Sequence, residues 1–501
     1  MNKIWKFLLI CGALIFTLNP LANSQIRKSH FAGHFYPADK EILIKTVDKY
    51  LSSTVKTKIM GEIKTIIVPH AGYPFSARTA AAAYATINGN YKTVVLIGPS
   101  HRTYINGAAI FTEGSFQTPL GDISIDENLA QKLLEADSFF KKNTLAHLNE
   151  HSLEVQLPFL QRKLKKGFKI LPVLINEGSP EELNRIGRII GKLLKGKKAL
   201  IIISSDLSHY PNHKNAKLID ESSIFSLSSM NPVYFLKTTE ILLEKNIAKV
   251  ATIACGRAAI AVGMAAAKSL GADEFLKLKY EDSFDSNPSQ SSSSSVVGYL
   301  AGAFVQTGKK NKPFKLNLSE TEKTELLKFA RYSILSELMR EDPKFDLRDN
   351  SLFNQPAAIF VTLKDKGALR GCIGGTAPRM TLYDAVFAFS KAAAFADHRF
   401  MPVKLKELKN IDIEISILSP LRKIKSSKEI ISNKHGVMLV NKNKSGLFLP
   451  QVWEQISKKE DFLDEICTQK TGLKKKCWLD KNTELYTFTV DSFKEAQRTQ
   501  K

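Results

Sequence analysis

TIIVPH (residues 65–70), VVLIGPSH (94–101) and ALIIISSDLSH (199–209) are three short runs of Val, Ile and Leu. Each closes on a side chain that can hold a metal or a proton: His70, His101, and Asp206 with His209. Continuous apolar runs that alternate with helical periodicity read as parallel strands buried on both faces. In open α/β sheets, ligands collect just beyond the carboxyl ends of such strands. The four polar side chains are therefore expected along one edge of one sheet.

Working outward, a further strand is expected at 169–175 and a last one at 296–304, behind a serine-rich loop at 283–295. Amphipathic helices fill the intervals, and 77–85 is nearly all small residues, suited to a helix lying close on the sheet. Residues 25–306 thus read as one α/β domain. Gly and Pro beside His70 and His101 force sharp turns that leave each ring pointing outward. Asp206 and His209 are three residues apart, a spacing that a turn or first helical turn would place on one face. Cys255 follows ATIA (251–254) and precedes Gly256-Arg257 and a second small-residue helix. Its thiolate would be favoured by the helix N-terminus, by Arg257 or by a metal.

TGKKNKPFKLN (307–317) lacks periodicity, so 307–318 is read as a linker and 319–501 as a second domain. SETE (319–322) starts a helix with acidic residues in its first turn. Strands at 357–363, 411–418 and 485–490 follow without regular β-α alternation, which indicates an α+β domain. In LRGCIG (369–374), Cys372 lies between glycines and near Arg370, giving backbone access and a cationic neighbour that favour a thiolate. A buried structural cysteine fits the same residues equally well.

At 501 residues the chain exceeds one ordinary core, and its 44% hydrophobic and 24% charged residues are those of a globular protein. Lys3 and Lys6, an apolar stretch at 7–18, Pro20 and Ala22-Asn23-Ser24 follow the order of a secretory signal peptide ending at residue 24. The mature chain is then secreted or periplasmic; an uncleaved leader acting as a membrane anchor is the alternative. No later segment is a long apolar span, so no stable membrane insertion is expected after cleavage. The formal charge is +23, but its lysines are scattered through stretches such as LQRKLKKGFK (160–169), and no basic, aromatic-interleaved stripe points to nucleic acid. Four cysteines remain after residue 24, too few for a disulfide framework. Cys467 and Cys477 are the nearby pair, and free thiols are the preferred reading over a bridge.

The segments PHAGY, GPSH, HSLEVQLPFL (151–160), SSDLSHY and ACGR, with AGHFYPAD (32–39) and VVGY (296–299), resemble the Memo family across 27–305. That family's fold is similar to class III extradiol dioxygenases, which use non-haem iron. The resemblance implies His70, His101 and Cys255 as metal ligands. It places Asp206, His209 and His151, with Glu154 one turn later, around the same pocket in proton-handling or orienting roles. The dioxygenases use two histidines and a carboxylate; a cysteine as third ligand here turns the preference toward softer ions and away from assumed ring cleavage. Iron or copper is the expected metal, with zinc also compatible.

LRGCIG, DHRF (397–400), IDIEISILSP (411–420), HGV (435–437), LFLPQV (447–452) and KTGL (470–473) resemble the AMMECR family across about 320–495. Arg370, Cys372, Asp397, Arg399 and His435 are the polar residues expected at its cleft, with Cys372 as nucleophile or redox group. The two domains together resemble a fusion of components B and A of the AmmeMemoRadiSam system, which implies a functional link to a radical SAM protein. Radical SAM enzymes are reductive and cytoplasmic, whereas this chain carries an export signal; either the partner acts elsewhere or this version has left the system. The leading expectation is a metal-dependent redox or oxygenase-like enzyme acting on a small or peptide-linked substrate. The alternative is a noncatalytic metal-binding, metal-handling or protein-interaction module.

Overall fold

Eight strands make the central sheet of the first domain: β1 (Glu62–Val68), β2 (Thr93–Gly98), β3 (Ala108–Ile110), β4 (Phe140–Lys142), β5 (Lys169–Ile175), β6 (Ala199–Ser204), β7 (Glu274–Asp282) and β8 (Gly298–Gln306), in the spatial order β7-β8-β1-β6-β2-β5-β3-β4. This is a computed structural model, which describes residues 25–55, 57–88, 90–309, 314–341 and 345–495. The leader read at 1–24 lies outside those residues, as do 310–313 of the linker. The four expected strands β1, β6, β2 and β5 pair in parallel at the centre of the sheet. Their apolar runs are buried on both faces, as such sequences require. β8 starts two residues later than expected and runs antiparallel to β1.

The small-residue helices pack as their composition dictates. α1 (Tyr73–Tyr84) and α5 (Arg257–Ser269) lie on opposite faces of the sheet, in its two separate apolar cores. Against α5 runs α2 (Pro180–Leu194), where a Cβ on Gly187 would collide with the Val262 carbonyl and the Ala265 methyl. At the end of β2, a Cβ on Gly98 would stand 2.8 Å from Leu153 Cδ2, so this glycine admits the segment that carries His151.

SSDLSHY does not make the expected helical turn. Residues 205–208 belong to no helix or strand, and His209 bridges both Thr252 and Val297. Tyr210 takes a positive φ of 73°, Pro211 follows, and the helix is deferred to α3 (His213–Leu227), capped by Asn212. Asp220 on α3 holds this loop from behind: its Oδ1 accepts from Ser208 N (3.0 Å) and its Oδ2 from the Tyr280 hydroxyl (2.8 Å). α4 (Pro232–Glu244) follows.

The segment at 151 also differs from a simple helix start. His151 lies in coil, a single 3-10 turn covers Glu154–Gln156, and the α-helix begins at Leu157. Glu154 faces away from the sheet edge, fully buried in an ion pair with Arg27 (2.6 Å). Glu154 also accepts from Phe31 N (2.8 Å) and the Tyr36 hydroxyl (2.7 Å), while Arg27 donates to the carbonyls of His147 (2.6 Å) and Glu150 (2.7 Å).

The second domain opens on α6 (Glu320–Met339), whose Ser319 and Glu322 form a reciprocal cap. It holds β9 (Ala358–Asp365), β10 (Ala368–Gly374), β11 (Ile411–Leu418), β12 (Arg422–Ile424), β13 (Gly436–Asn441), β14 (Lys444–Phe448), β15 (Thr483–Phe488) and β16 (Val490–Lys494). These make two four-stranded sheets, β10-β9-β11-β16 and β12-β15-β13-β14. α7 (Leu382–Phe395) packs on α6 and on β9 of the first of them. The strand expected at 485–490 is in fact two, because the chain passes from one sheet to the other at Thr489. Cys467 and Cys477 are joined by a disulfide, against the free-thiol expectation: ten residues apart in sequence, they meet across the turn at 472–476 with Cα atoms 5.9 Å apart. Among the described residues no helix is long and apolar enough to cross a membrane.

Two stability measurements follow from the buried charges. Glu154→Ala leaves the Arg27 guanidinium buried without its partner and is expected to cost the first domain about 3–5 kcal/mol in urea unfolding; a cost below about 1 kcal/mol would contradict the ion pair. For Asp220, burial pushes the carboxyl pKa up to about 7 against the hydrogen bonds from Tyr280 and Ser208 that favour its ionised form. The native state then binds this proton more tightly than the unfolded chain, so the contribution is fully present below about pH 4 and is lost as pH rises through about 7. Asp220→Asn should flatten that decline, on the order of 3–4 kcal/mol across the window, in unfolding curves taken from pH 4 to 8.

Candidate metal centre

The carboxyl edge of β1, β2 and β6 carries the cluster. His70 follows β1 by one Pro, His101 follows β2 by Pro99-Ser100, and Asp206 follows β6 by Ser205. Cys255 arrives from the other direction, directly before Gly256, the cap of α5. One ligand-type atom each from His70, His101 and Cys255 lies within 4.8 Å of the others.

The proton positions follow from the hydrogen bonds. Gln156 Nε2 donates to the Pro69 carbonyl and to Ser204 Oγ, both at 2.9 Å, while its Oε1 accepts from the Tyr84 hydroxyl (2.9 Å). The Ser204 hydroxyl donates to the Ser152 carbonyl (2.6 Å), which uses its single proton. Toward His70 Nδ1, 3.0 Å away, it can then only accept. Nδ1 therefore carries the ring proton, and Nε2 presents its lone pair 3.2 Å from Cys255 Sγ. Asp206 Oδ1 accepts from the His70 amide (2.8 Å), and its other oxygen lies 4.0 Å from Nε2.

His101 is fixed in the same sense. Its Nδ1 is 2.9 Å from Glu150 Oε1, and its backbone N–H donates to Oε2 (2.5 Å), so Nε2 is turned outward. Glu150 also accepts from Ser152 N (2.8 Å) and lies 3.3 Å from His151 Nδ1. Burial is the largest single influence on Glu150 and opposes its charge, but the hydrogen bonds and charge of His101 together outweigh it and hold the carboxyl pKa at about 2. His151 stacks on His101 with centroids 4.5 Å apart, and Phe35 covers it at 4.6 Å.

Burial keeps His70 and His151 neutral. It drives His70 well below its ordinary pKa, with the neighbouring His101 adding to the effect, and takes His151 down to about 3. His209 is lowered for the same reason, and its Nε2 is buried without a hydrogen-bond partner. Burial pushes Asp206 up, against the attraction of His209. It also pushes the Cys255 thiol up, so the neutral S–H form faces His70; Arg257, whose charge was expected to help the thiolate, lies exposed on the next turn.

These donors fit a transition metal. Imidazoles with Nε2 free and Nδ1 held by Ser204 or Glu150 are oriented as histidine ligands are, and the thiol proton is one a cation can replace. Glu150, Gln156 and Ser204 were not singled out from the sequence. A signal for Gln156 existed: polar residues at 152, 154 and 156 alternate with apolar ones in a segment too buried to need them for solvation.

In the second domain, Cys372 lines a cavity of about 580 Å³ between the two sheets, with Thr362, Lys364, Glu414 and Gln451 among its walls. Thr362 donates to Cys372 Sγ (3.3 Å). Asp397 accepts from Cys372 N (2.8 Å) and is gripped by Arg399 (2.7 Å), which also donates to the Cys372 carbonyl (3.2 Å). Arg370 instead pairs with Glu407 (3.2 Å). His435 is outside this cavity: its Nδ1 accepts from Ile431 N (3.1 Å), closing its own turn, and its carbonyl accepts from Trp453 (2.7 Å). Asp397 and Arg399 thus hold the backbone of Cys372, while Arg370 and His435 are engaged elsewhere.

Comparison with known proteins accords with both halves. The family profile described as Memo-like protein matches residues 27–303, and the profile described as AMMECR1 matches 327–493. A MEMO1 family protein of Aquifex aeolicus is 38% identical over 281 residues, covering 56% of this chain and 100% of the relative. One from Nitrosopumilus maritimus is 32% identical over 285 residues, with coverage of 56% and 100%. A solved structure, an uncharacterized protein from Pyrococcus horikoshii, is 34% identical over 34% of this chain and 89% of that chain, with a TM-score of 0.32. The chain belongs to the Memo family, and an AMMECR1 domain follows its Memo-like domain.

Proposed function

We propose that the first domain holds a copper or iron ion at His70, His101 and Cys255 and uses it in redox chemistry on a small or peptide-linked substrate. The observation that carries this reading is the hydrogen-bond chain Gln156–Ser204–His70, which commits Nδ1 and aims the Nε2 lone pair at the Cys255 sulfur 3.2 Å away. A thiolate and two imidazoles favour soft or borderline ions, and a bound copper or iron ion would supply one-electron chemistry and an open position for substrate. Around it, Glu150 orients His101 and stays ionised, so it can hold the positive charge of either imidazole it faces. His151 is placed to pass a proton, with one nitrogen toward Glu150 and its ring stacked on His101. Phe31 and Phe35 cover His151 and exclude water from that side.

The export reading gains support from the Cys467–Cys477 disulfide, a bond that persists in oxidising compartments. In the second domain Cys372 is the reactive thiol of this proposal, since its cavity is open to a substrate and its backbone is fixed by Asp397.

Elemental analysis of protein purified from its native compartment should find close to one copper or iron per chain, with most of it lost in His70→Ala, His101→Ala and Cys255→Ser. Unchanged metal in all three variants would remove the site. Glu150→Gln keeps every ligand but loosens His101, and should weaken metal affinity roughly 10–100-fold in a chelator competition. Alkylation of the native protein without reductant should label Cys372 and leave Cys467 and Cys477 unmodified; labelling of Cys467 would argue against the disulfide and the export reading together.

A further inference from the structure

A mainly apolar cavity lies between the two domains. It opens where the first turn of α4, the chain at 314–318 and one end of both second-domain sheets meet, and encloses about 610 Å³. Val233, Leu316, Leu318, Ile417, Leu418 and Met438 give it a mostly aliphatic wall. The Tyr234 hydroxyl donates to the Pro356 carbonyl (3.1 Å), and the Phe314 ring lies 5.1 Å from Tyr234, which ties the two domains together at its edge.

The charged groups that line it are unbalanced in sign. Lys237, Lys315 and Arg379 stand there against Asp491 as the sole carboxylate. Lys237 is 3.0 Å from Glu240, whereas the side chains of Lys315 and Arg379 have no hydrogen-bond or ion-pair partner among the described residues. The N-terminus of α4, thirteen residues long, also lines the cavity, with its first amides bonded to the Asn231 side chain. Val233 remains 42% exposed although it points to an apolar wall.

We propose that this interdomain cavity binds a single-chain amphiphile, with its aliphatic body along the Leu, Ile and Val wall and one anionic head group between Lys315 and Arg379. The volume is in the range of small-molecule sites, and a mostly apolar lining with a few charged side chains is the pattern of such sites at domain boundaries. An aliphatic rather than aromatic body fits because the aromatic rings, Tyr234 and Phe314, stand together at one edge. The cavity shares Thr376 and Met438 with the cavity that Cys372 lines, so its occupant would lie against the back of that cleft. This inference is independent of the metal site.

The test is displacement of the fluorescent polyene cis-parinarate from the purified two-domain protein, below the micellar concentration of each competitor. Dodecanoate and dodecyl phosphate are expected to displace it saturably, and dodecanol at least tenfold less well; the tighter of the two anions identifies a free acid or a phospholipid-like head. Lys315→Glu and Arg379→Glu, both at exposed positions, should each weaken the anions tenfold or more and leave dodecanol unchanged. Val233→Trp, which fills the mouth without entering a core, should abolish displacement while metal content and the unfolding midpoint stay as in the wild type. Absence of saturable displacement, equal affinity for the alcohol, or anion binding indifferent to all three variants would overturn the proposal.

Discussion

A serine hydroxyl has one proton to give, and the geometry of the first domain turns on where Ser204 gives it. The donation to the Ser152 carbonyl couples the end of β6 to the segment at 150–156, and the two acceptances, from Gln156 and His70, couple that segment to the end of β1. Three stretches far apart in sequence are thereby locked at one buried point. Such networks are stable only when every member is satisfied, because the same low dielectric that strengthens a made hydrogen bond makes an unmade one costly. Loss of any partner here would leave a buried polar atom on β6 and free the His70 ring to turn.

The Arg27–Glu154 pair serves that network from behind. Desolvating two charges is expensive, and their mutual attraction offsets the cost only with good geometry and further hydrogen bonds. Both conditions hold: Glu154 accepts from Phe31 N and Tyr36, and Arg27 donates to two carbonyls of the 147–150 turn. The consequence is positional. The N-terminal chain is drawn across the edge of the sheet, Phe31 and Phe35 come to rest on His151, and Glu150 is presented to His101. A hydrophobic replacement of the pair could match its stability but would hold the 147–150 carbonyls by nothing.

Much of this was legible in the sequence. The buried parallel strands and the helix start at Ser319 rest on local signals, and local signals survive folding; the glycines beside His70 and His101 make no turn of their own, since Gly98 ends β2 in the strand and Gly72 caps α1, neither with positive φ. Three features were not legible, each for a physical reason. The hydrogen-bond partners Glu150, Gln156 and Ser204 act across 48 to 49 residues or more, a separation no periodicity encodes. The split of the strand expected at 485–490 is decided by which sheet each half can pair with, not by its composition. The Cys467–Cys477 bond depends on a turn bringing two Cα atoms together, and counting cysteines in a long chain says nothing about that.

The same burial that disfavours charge on His70 also favours the protonated thiol of Cys255, and under the proposed reading this would set the order of events at the site. The neutral His70 imidazole could ligate as it stands, whereas Cys255 would have to release a proton into a pocket where burial disfavours its charge. A cation close enough to replace the proton would reverse that balance, so under the proposed reading the sulfur would become an anion only with a metal held beside it by the imidazoles. A smaller or more exposed cluster would leave the thiolate free to oxidise before any metal arrived. Burial would thus protect the sulfur without a metal and commit it with one, and Asp206, whose pKa is raised by burial and whose carboxylate lies 4.0 Å from His70 Nε2, already faces the cluster as a group able to take the released proton.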